Sequence, residues 1–307
     1  MNILKHSAFL LSVGLFAVLL LSPAPDAVAA DPGSVTMTVT AVAKKNAEPP
    51  AIKREDVQFY VRKERAQIAN WQRGEKLYLA VLIDDSLDAD VASQWSVLKE
   101  FFNQQPSTTY ISVSYARNGT AIVAQDFTND HELAAKALRL PIGPGAFSSP
   151  YLTLLDLMKR LPSGPTERRS ILLFSSGIDY FHGNSPESPD LQSTYERAQK
   201  ENINIWSIYY PDGGHLGGRW FRAFRGQNDL SQLAESSGAE SYYLGVNEAV
   251  TFKPYLEELS THLRNQYLLT FKGSGGPKGR VDRVKLATEL PNVQFLVAPE
   301  AFLPREK

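Results

Sequence analysis

The stretch "VLIDDSLDAD", residues 81–90, places Asp84, Asp85, Asp88 and Asp90, with Ser86 among them, directly after an apolar run from Leu79 to Ile83. Carboxylates interleaved with hydroxyls are oxygen-only donors, the set that suits a hard divalent cation such as Mg²⁺ or Ca²⁺. Two further hydroxyl pairs follow: Ser148 and Ser149 before a predicted helix at 151, and Ser175 and Ser176 after a predicted strand over 170–174. In an open α/β sheet the loops at the carboxyl ends of the strands converge on a crevice, so an ion site could be assembled from these three places. The same acids can instead serve a helix alone. Asp84 or Asp85 would then cap the helix that starts near Val91, with Asp88 and Asp90 at its positive end.

Nucleophilic hydrolysis has little to build on. The chain has no cysteine, and it has no Gly-x-Ser-x-Gly elbow. His131, His182, His215 and His262 are scattered without a spacing that implies a triad, and His6 falls in the N-terminal apolar segment. Each reads as a surface or loop residue.

The elements that must position the acids follow from hydrophobic periodicity. From 34 to 74 the pattern is β-like: "VTMTVTAVA" alternates, and "DVQFYVRKERAQIANW" holds two runs around a charged turn. After Gly74, strands alternate with helices. "LYLAVLI" (77–83) is the continuous apolar run of a parallel strand covered on both faces, and Val91, Trp95, Leu98 and Phe102 line the helix that follows it. "TTYISVSYA" and "TAIVAQDF" are joined through Asn118-Gly119, the strongest hairpin dipeptide. Asn129 with Glu132 reads as a capping box opening a helix with a stripe of Leu133, Ala134, Ala137 and Leu138. A Gly/Pro loop leads to the helix of Leu154, Leu155, Met158 and Leu161, then come the strand "SILLF", a helix from Pro189 and the strand "NIWSIYY".

The stretch "GGHLGGRWFRAFRGQND" can be an exposed recognition loop, since aromatics and arginine dominate interfaces. The preferred reading packs Trp220, Phe221 and Phe224 onto the sheet at helical spacing and leaves the arginines solvated. The Gly-rich loop 212–218 is long enough to suggest function. A short helix closed by Gly238, a strand "ESYYLG", a helix opened by Pro254 and a strand-rich tail complete the pattern. The expected architecture is therefore α/β: a doubly wound, mainly parallel sheet flanked by helices, with β extensions at both ends.

Composition is that of a globular protein, with 43% hydrophobic residues over 307 and a formal net charge of −1. There is no basic excess, so nucleic acid is not an expected partner. Lys5 and His6, the apolar run "AFLLSVGLFAVLLL" and the small residues "AVAA" follow the order of a secretory signal over residues 1–30. The run is short for a span of about 20 residues. The expectation is export to the periplasm or beyond, with no stable membrane span after cleavage.

Taken together, the strand-end acids and the two hydroxyl pairs resemble the von Willebrand factor A-like domain. Its metal-ion-dependent adhesion site has Asp-x-Ser-x-Ser after the first strand, a threonine in a second loop and the aspartate of "TDG" after a later strand. The resemblance spans roughly residues 75–250. The flanks "REDVQFYVRKERAQIANW" and "LRNQYLLTFK" are similar to the secreted, acidobacterial von Willebrand factor A-related subgroup. The division implied is a signal over 1–30, an N-terminal β segment over 34–74, the A-like domain over 75–263 and a C-terminal β extension over 264–307.

Carried over residue by residue, the resemblance puts Asp84 and Ser86 on the first aspartate and first serine. Asp88 stands for the second serine, and Ser148 for the threonine, with Ser149 as a one-residue alternative. Ser176 of "SSG" stands for the aspartate of "TDG", while Asp179 lies close by but out of position. Serine and aspartate have thus been exchanged between two positions. The resemblance implies a degenerate site for a divalent cation, Mg²⁺ or Ca²⁺, in a non-enzymatic module that binds a protein or cell-surface ligand. The enzyme alternative is a metal-dependent phosphohydrolase of haloacid-dehalogenase-like type. It needs a strand ending in Asp-x-Asp, and Ser86 stands where its second aspartate belongs.

Overall fold

The structure, a computed structural model, describes residues 33–44, 47–143, 146–164, 167–182, 188–211, 220–242 and 250–305. The signal expected over residues 1–30 and the Gly-rich loop 212–218 lie outside the described residues. No helix among the described residues is long and apolar enough to cross a membrane.

In chain order the elements begin with strands β1 (Ser34–Ala43), β2 (Gln58–Val61), β3 (Glu64–Arg65), β4 (Ile68–Arg73) and β5 (Leu77–Asp84). After a 3₁₀ turn over Ala89–Gln94 come α1 (Trp95–Asn103), β6 (Thr109–Arg117), β7 (Thr120–Thr128), α2 (His131–Lys136) and α3 (Pro150–Met158). Then follow β8 (Arg168–Ser175), α4 (Pro189–Glu201), β9 (Ile203–Tyr209), α5 (Trp220–Ser237), β10 (Ser241–Tyr242) and α6 (Lys253–Arg264). The chain closes with β11 (Gln266–Lys272), β12 (Arg280–Ala287), β13 (Val293–Leu296) and β14 (Glu300–Leu303).

The central sheet has the order β10-β9-β8-β5-β6-β7 and is parallel except for the β6–β7 hairpin. Asn118 and Gly119 both take positive φ, 51° and 70°, the backbone that a two-residue primed turn demands. All eight residues of β5 are buried, because helices cover both faces. Leu77, Leu79, Val81 and Ile83 join a core with α1 and α6, while Tyr78, Ala80 and Leu82 join the opposite core with α3, α4 and α5. Burying each such leucine or isoleucine contributes about 1.5–3 kcal/mol, so β5 is held in a single register.

Strands from the two ends of the chain pair with one another. One four-stranded sheet runs β13-β1-β11-β4 and a second runs β14-β12-β2-β3, and both contribute to a third core containing Val39, Phe59, Leu269, Phe271 and Leu303. Arg168, at the start of β8, joins this assembly to the central sheet. Its guanidinium donates to the carbonyls of Leu263 and Glu75 and to Gln266 Oε1.

Several local expectations are corrected. The cap of α2 is Asp130, whose side chain accepts from Leu133 N, not Asn129, and Leu133 is 43% exposed. The aromatic-basic stretch is continuous with the later short helix, forming α5. Phe221 and Phe224 do not pack onto the sheet: they are 65% and 64% exposed, and the small Ala223 turns inward instead.

Candidate metal centre

β5 lies between β6 and β8, and the chain winds from it first toward one edge of the sheet and then toward the other. That reversal opens a crevice beyond the carboxyl ends of β5 and β8. Asp84 is the last residue of β5 and Ser175 the last of β8, so the strand order itself brings the two side chains together. Ser175 Oγ donates to Asp84 Oδ2 at 2.8 Å. Asp84 Oδ1 accepts from Ser86 Oγ at 2.8 Å and from Ser86 N at 3.0 Å. Asp84 is fully buried.

The second loop supplies Ser148 and Ser149, both fully buried and with different duties. Ser149 caps α3, its side chain accepting from Leu152 N. Ser148 Oγ has no hydrogen-bond partner of good geometry, although it lies near enough to Asp84 to favour the ionised carboxylate. In the third loop, Ser176 Oγ accepts from Ile178 N at 3.3 Å, while Ser175 Oγ accepts from Gly177 N at 3.0 Å. Asp88 begins the 3₁₀ turn over Ala89–Gln94, with Oδ1 accepting from Asp90 N at 3.0 Å, and it is only partly buried. Capping is therefore carried by Asp88, not by Asp84 or Asp85.

Two further residues shape this crest. One is Ser175, a member of the hydroxyl pair at the strand end, whose inward side chain follows from its place as the last residue of β8. The other is Asp85, which is fully buried and held by two guanidinium groups. Arg139 meets it in a bidentate pair at 2.7 and 2.8 Å, and Arg117 Nε adds a third contact at 3.2 Å. Arg139 also lies over the Tyr115 ring, 3.6 Å from its centroid. Asp85 is thereby neutralised and withdrawn from any ion held by Asp84.

The third loop is pressed against α5. A Cβ on Gly226 would stand 2.2 Å from the carbonyl oxygen of Ser176, and Gly177 takes a positive φ of 68° at the same contact. Tyr151 Oη donates to Gly177 O at 2.9 Å. This packing fixes the position of the Ser176 hydroxyl.

Burial pushes the Asp84 carboxyl above the usual carboxylate range, and the hydroxyls and the Ser86 amide only partly oppose that shift. The donor chemistry fits a divalent ion in part. A serine that gives its proton to Asp84 keeps its lone pairs, so Ser86 can still offer oxygen to a cation while bonded as observed. Ser148 Oγ is an orphaned buried oxygen of the kind an ion would satisfy. Against these, the other fully buried carboxylate of the crest, Asp85, is already balanced by Arg139 and Arg117, which leaves Asp84 as the buried charged donor. The haloacid-dehalogenase-like alternative gains no support, since the partners of Asp84 are serine hydroxyls and a backbone amide.

No protein-family model matches the chain. No curated protein matches it either. Among solved structures it is similar to the conserved hypothetical protein BatB from Bacteroides thetaiotaomicron, at 11% identity and a TM-score of 0.46 over 62% of this chain and 97% of that one. It is also similar to the ArnB paralog VWA2 from Sulfolobus acidocaldarius, at 11% identity and a TM-score of 0.40 over 89% and 76% of the two chains. A third is proximal thread matrix protein 1 from the mussel byssus, described with a zinc-occupied MIDAS motif, at 12% identity and a TM-score of 0.42 over 63% and 49%. At these identities and scores nothing about ligands or partners passes from them to this chain.

Proposed function

We propose that the chain is a non-enzymatic interaction module of von Willebrand factor A-like type whose sheet crest binds a divalent cation weakly and engages a protein or cell-surface ligand. The observation that carries this reading is the buried Asp84 carboxylate at the strand-order reversal, bonded to Ser86 and Ser175 and neighboured by the unpartnered Ser148 hydroxyl. Asp84, Ser86 and Ser148 would hold the ion, with Ser176 and Asp88 contributing through their free lone pairs or through water. The ion would supply positive charge that offsets the cost of burying Asp84 and attracts an acidic group of a partner.

The site is degenerate in a specific sense. The third loop offers a hydroxyl at Ser176 where a carboxylate is usual in the family it resembles, and the carboxylate at Asp88 is already engaged as a helix cap. Fewer charged donors mean lower affinity for Mg²⁺ or Ca²⁺. Calorimetric titration of the purified chain with Mg²⁺, Mn²⁺ and Ca²⁺, beside Asp84→Ala, tests the reading. Weak binding lost in Asp84→Ala supports it, and absence of heat in the wild type sinks the cation claim. Robust turnover of generic phosphate esters, abolished by Asp84→Ala, would overturn the non-enzymatic assignment. Export would place the module outside the cytoplasm, where a surface ligand is to be sought.

A further inference from the structure

Beyond the serine-lined crest, a second group of ligand atoms stands between the third loop and the start of α4. His182 Nε2 is 2.9 Å from Asp190 Oδ2 and 3.9 Å from Asp179 Oδ2, and the three donor atoms all lie within 4.8 Å of one another. We propose that Asp179, His182 and Asp190 form a metal centre for Zn²⁺, separate from the crest of Asp84 and independent of its reading as an adhesion-type site.

The distances suit the ion. Zn²⁺ bonds to imidazole nitrogen and carboxylate oxygen at about 2.0–2.2 Å, so tetrahedral donors lie roughly 3.4 Å apart by geometry. The two observed separations, 2.9 and 3.9 Å, bracket that value. Donor chemistry also separates the two places. The side chains bonded to Asp84 are the hydroxyls of Ser86 and Ser175, oxygen donors that suit hard cations, whereas an imidazole with two carboxylates suits a first-row transition ion.

The ligands are held before the ion arrives. Asp179 is 8% exposed, with Oδ1 accepting from Phe181 N at 3.0 Å and Oδ2 from Ser188 Oγ at 3.2 Å. Such outer contacts orient a ligating carboxylate. Asp190 lies in the first turn of α4, where the Ser188 cap fixes the backbone. His182 is 30% exposed and Asp190 23%, so a fourth position can face water.

Charge favours a cation as well, because the carboxylates of Asp179 and Asp190 both face the single imidazole of His182. A bound Zn²⁺ would relieve this local negative excess and tie the loop that carries Ser176 to α4. The competing account is a plain ion pair between His182 and Asp190 with no metal.

The test uses the full chain labelled with ¹⁵N-histidine. Zn²⁺ is titrated in while calorimetry and the imidazole nitrogen shifts are followed, beside His182→Gln, Asp190→Asn and Asp84→Ala, with circular dichroism as a check of folding. One imidazole, absent from the spectrum of His182→Gln, is expected to shift. Asp190→Asn should weaken binding at least about tenfold, and Asp84→Ala should leave the shift in place. The assignment is overturned if the wild type binds no Zn²⁺, if His182→Gln binds as the wild type does, or if Asp84→Ala abolishes the imidazole shift.

Discussion

Ser175 Oγ donates to Asp84 Oδ2 across the ends of two adjacent parallel strands, linking residues 91 positions apart in the chain. The bond satisfies one oxygen of a carboxylate that is fully buried. Replacing Ser175 with alanine leaves that oxygen without its donor, a loss of about 2 kcal/mol. Ser175→Thr keeps the hydroxyl and should retain most of the stability. Urea denaturation of both variants checks the contribution. A Ser175→Ala midpoint matching the wild type would show that Asp84 gains nothing from this bond.

Asp84 is also expected to make stability depend on pH. Its folded-state pKa lies above the ordinary value because burial disfavours the charge, so the folded chain keeps its proton to higher pH than the unfolded chain does. The linkage sign follows: the contribution is fully present below the unfolded pKa and is lost as pH rises through the folded pKa. In chelator, wild-type stability relative to Asp84→Asn should therefore fall as pH rises above about 4. Denaturation of the two proteins across that range measures it, and a difference independent of pH would contradict the raised pKa.

The central fold was legible because its physical causes are local. Seven consecutive apolar residues from Leu77 to Ile83 can be buried only in a strand covered on both faces, and Asn118-Gly119 can supply the positive φ of a tight hairpin. Asp84 and Ser86 were readable for the same reason, since two residues determine that contact. The partners of Asp85 were not. Arg139 is 54 positions away, and only the β5–β6 pairing and the turn of chain after α2 bring it close. Asp88 illustrates competition between uses: a carboxylate at that spacing reads equally as an ion ligand and as a cap, and its Oδ1 serves the Asp90 amide. Phe221 and Phe224 have helical spacing, but spacing cannot say which face of α5 meets the sheet, and Ala223 occupies the inner face.

The pairing of Asp85 with Arg139 should be the more demanding of the two acidic contacts on this loop. Arg139→Ala leaves a fully buried carboxylate with Arg117, at 3.2 Å, as its remaining cationic partner among the described residues. Breaking a buried pair from one side costs 3–5 kcal/mol, and the remaining guanidinium together with the partial exposure of Arg139 points to roughly 3 kcal/mol. Arg139→Lys should recover only part of this, because a single ammonium cannot reproduce the two-point contact. Denaturation midpoints of both variants check the order, and a lysine variant as stable as the wild type would count against the bidentate geometry.

His262, on α6, should set the acid limit of the fold. It is 3% exposed and packs beside Trp206 at 5.5 Å between ring centroids, with Tyr242 Oη 3.3 Å and Glu240 Oε2 3.6 Å from Nδ1. Burial lowers its pKa to about 4, and the carboxylates of Glu240 and Glu258, both grouped with its ring, do not offset that cost. A depressed histidine pKa contributes stability that is fully present above the unfolded value of 6.5 and is lost as pH falls toward the folded value. The loss over that window is on the order of 3 kcal/mol. His262→Phe keeps a ring against Trp206 and removes the titration, so it should lose much less stability than the wild type between neutral pH and about pH 4. Urea midpoints at the two ends of the window decide the point: parallel losses in both proteins would place the acid sensitivity elsewhere in the chain.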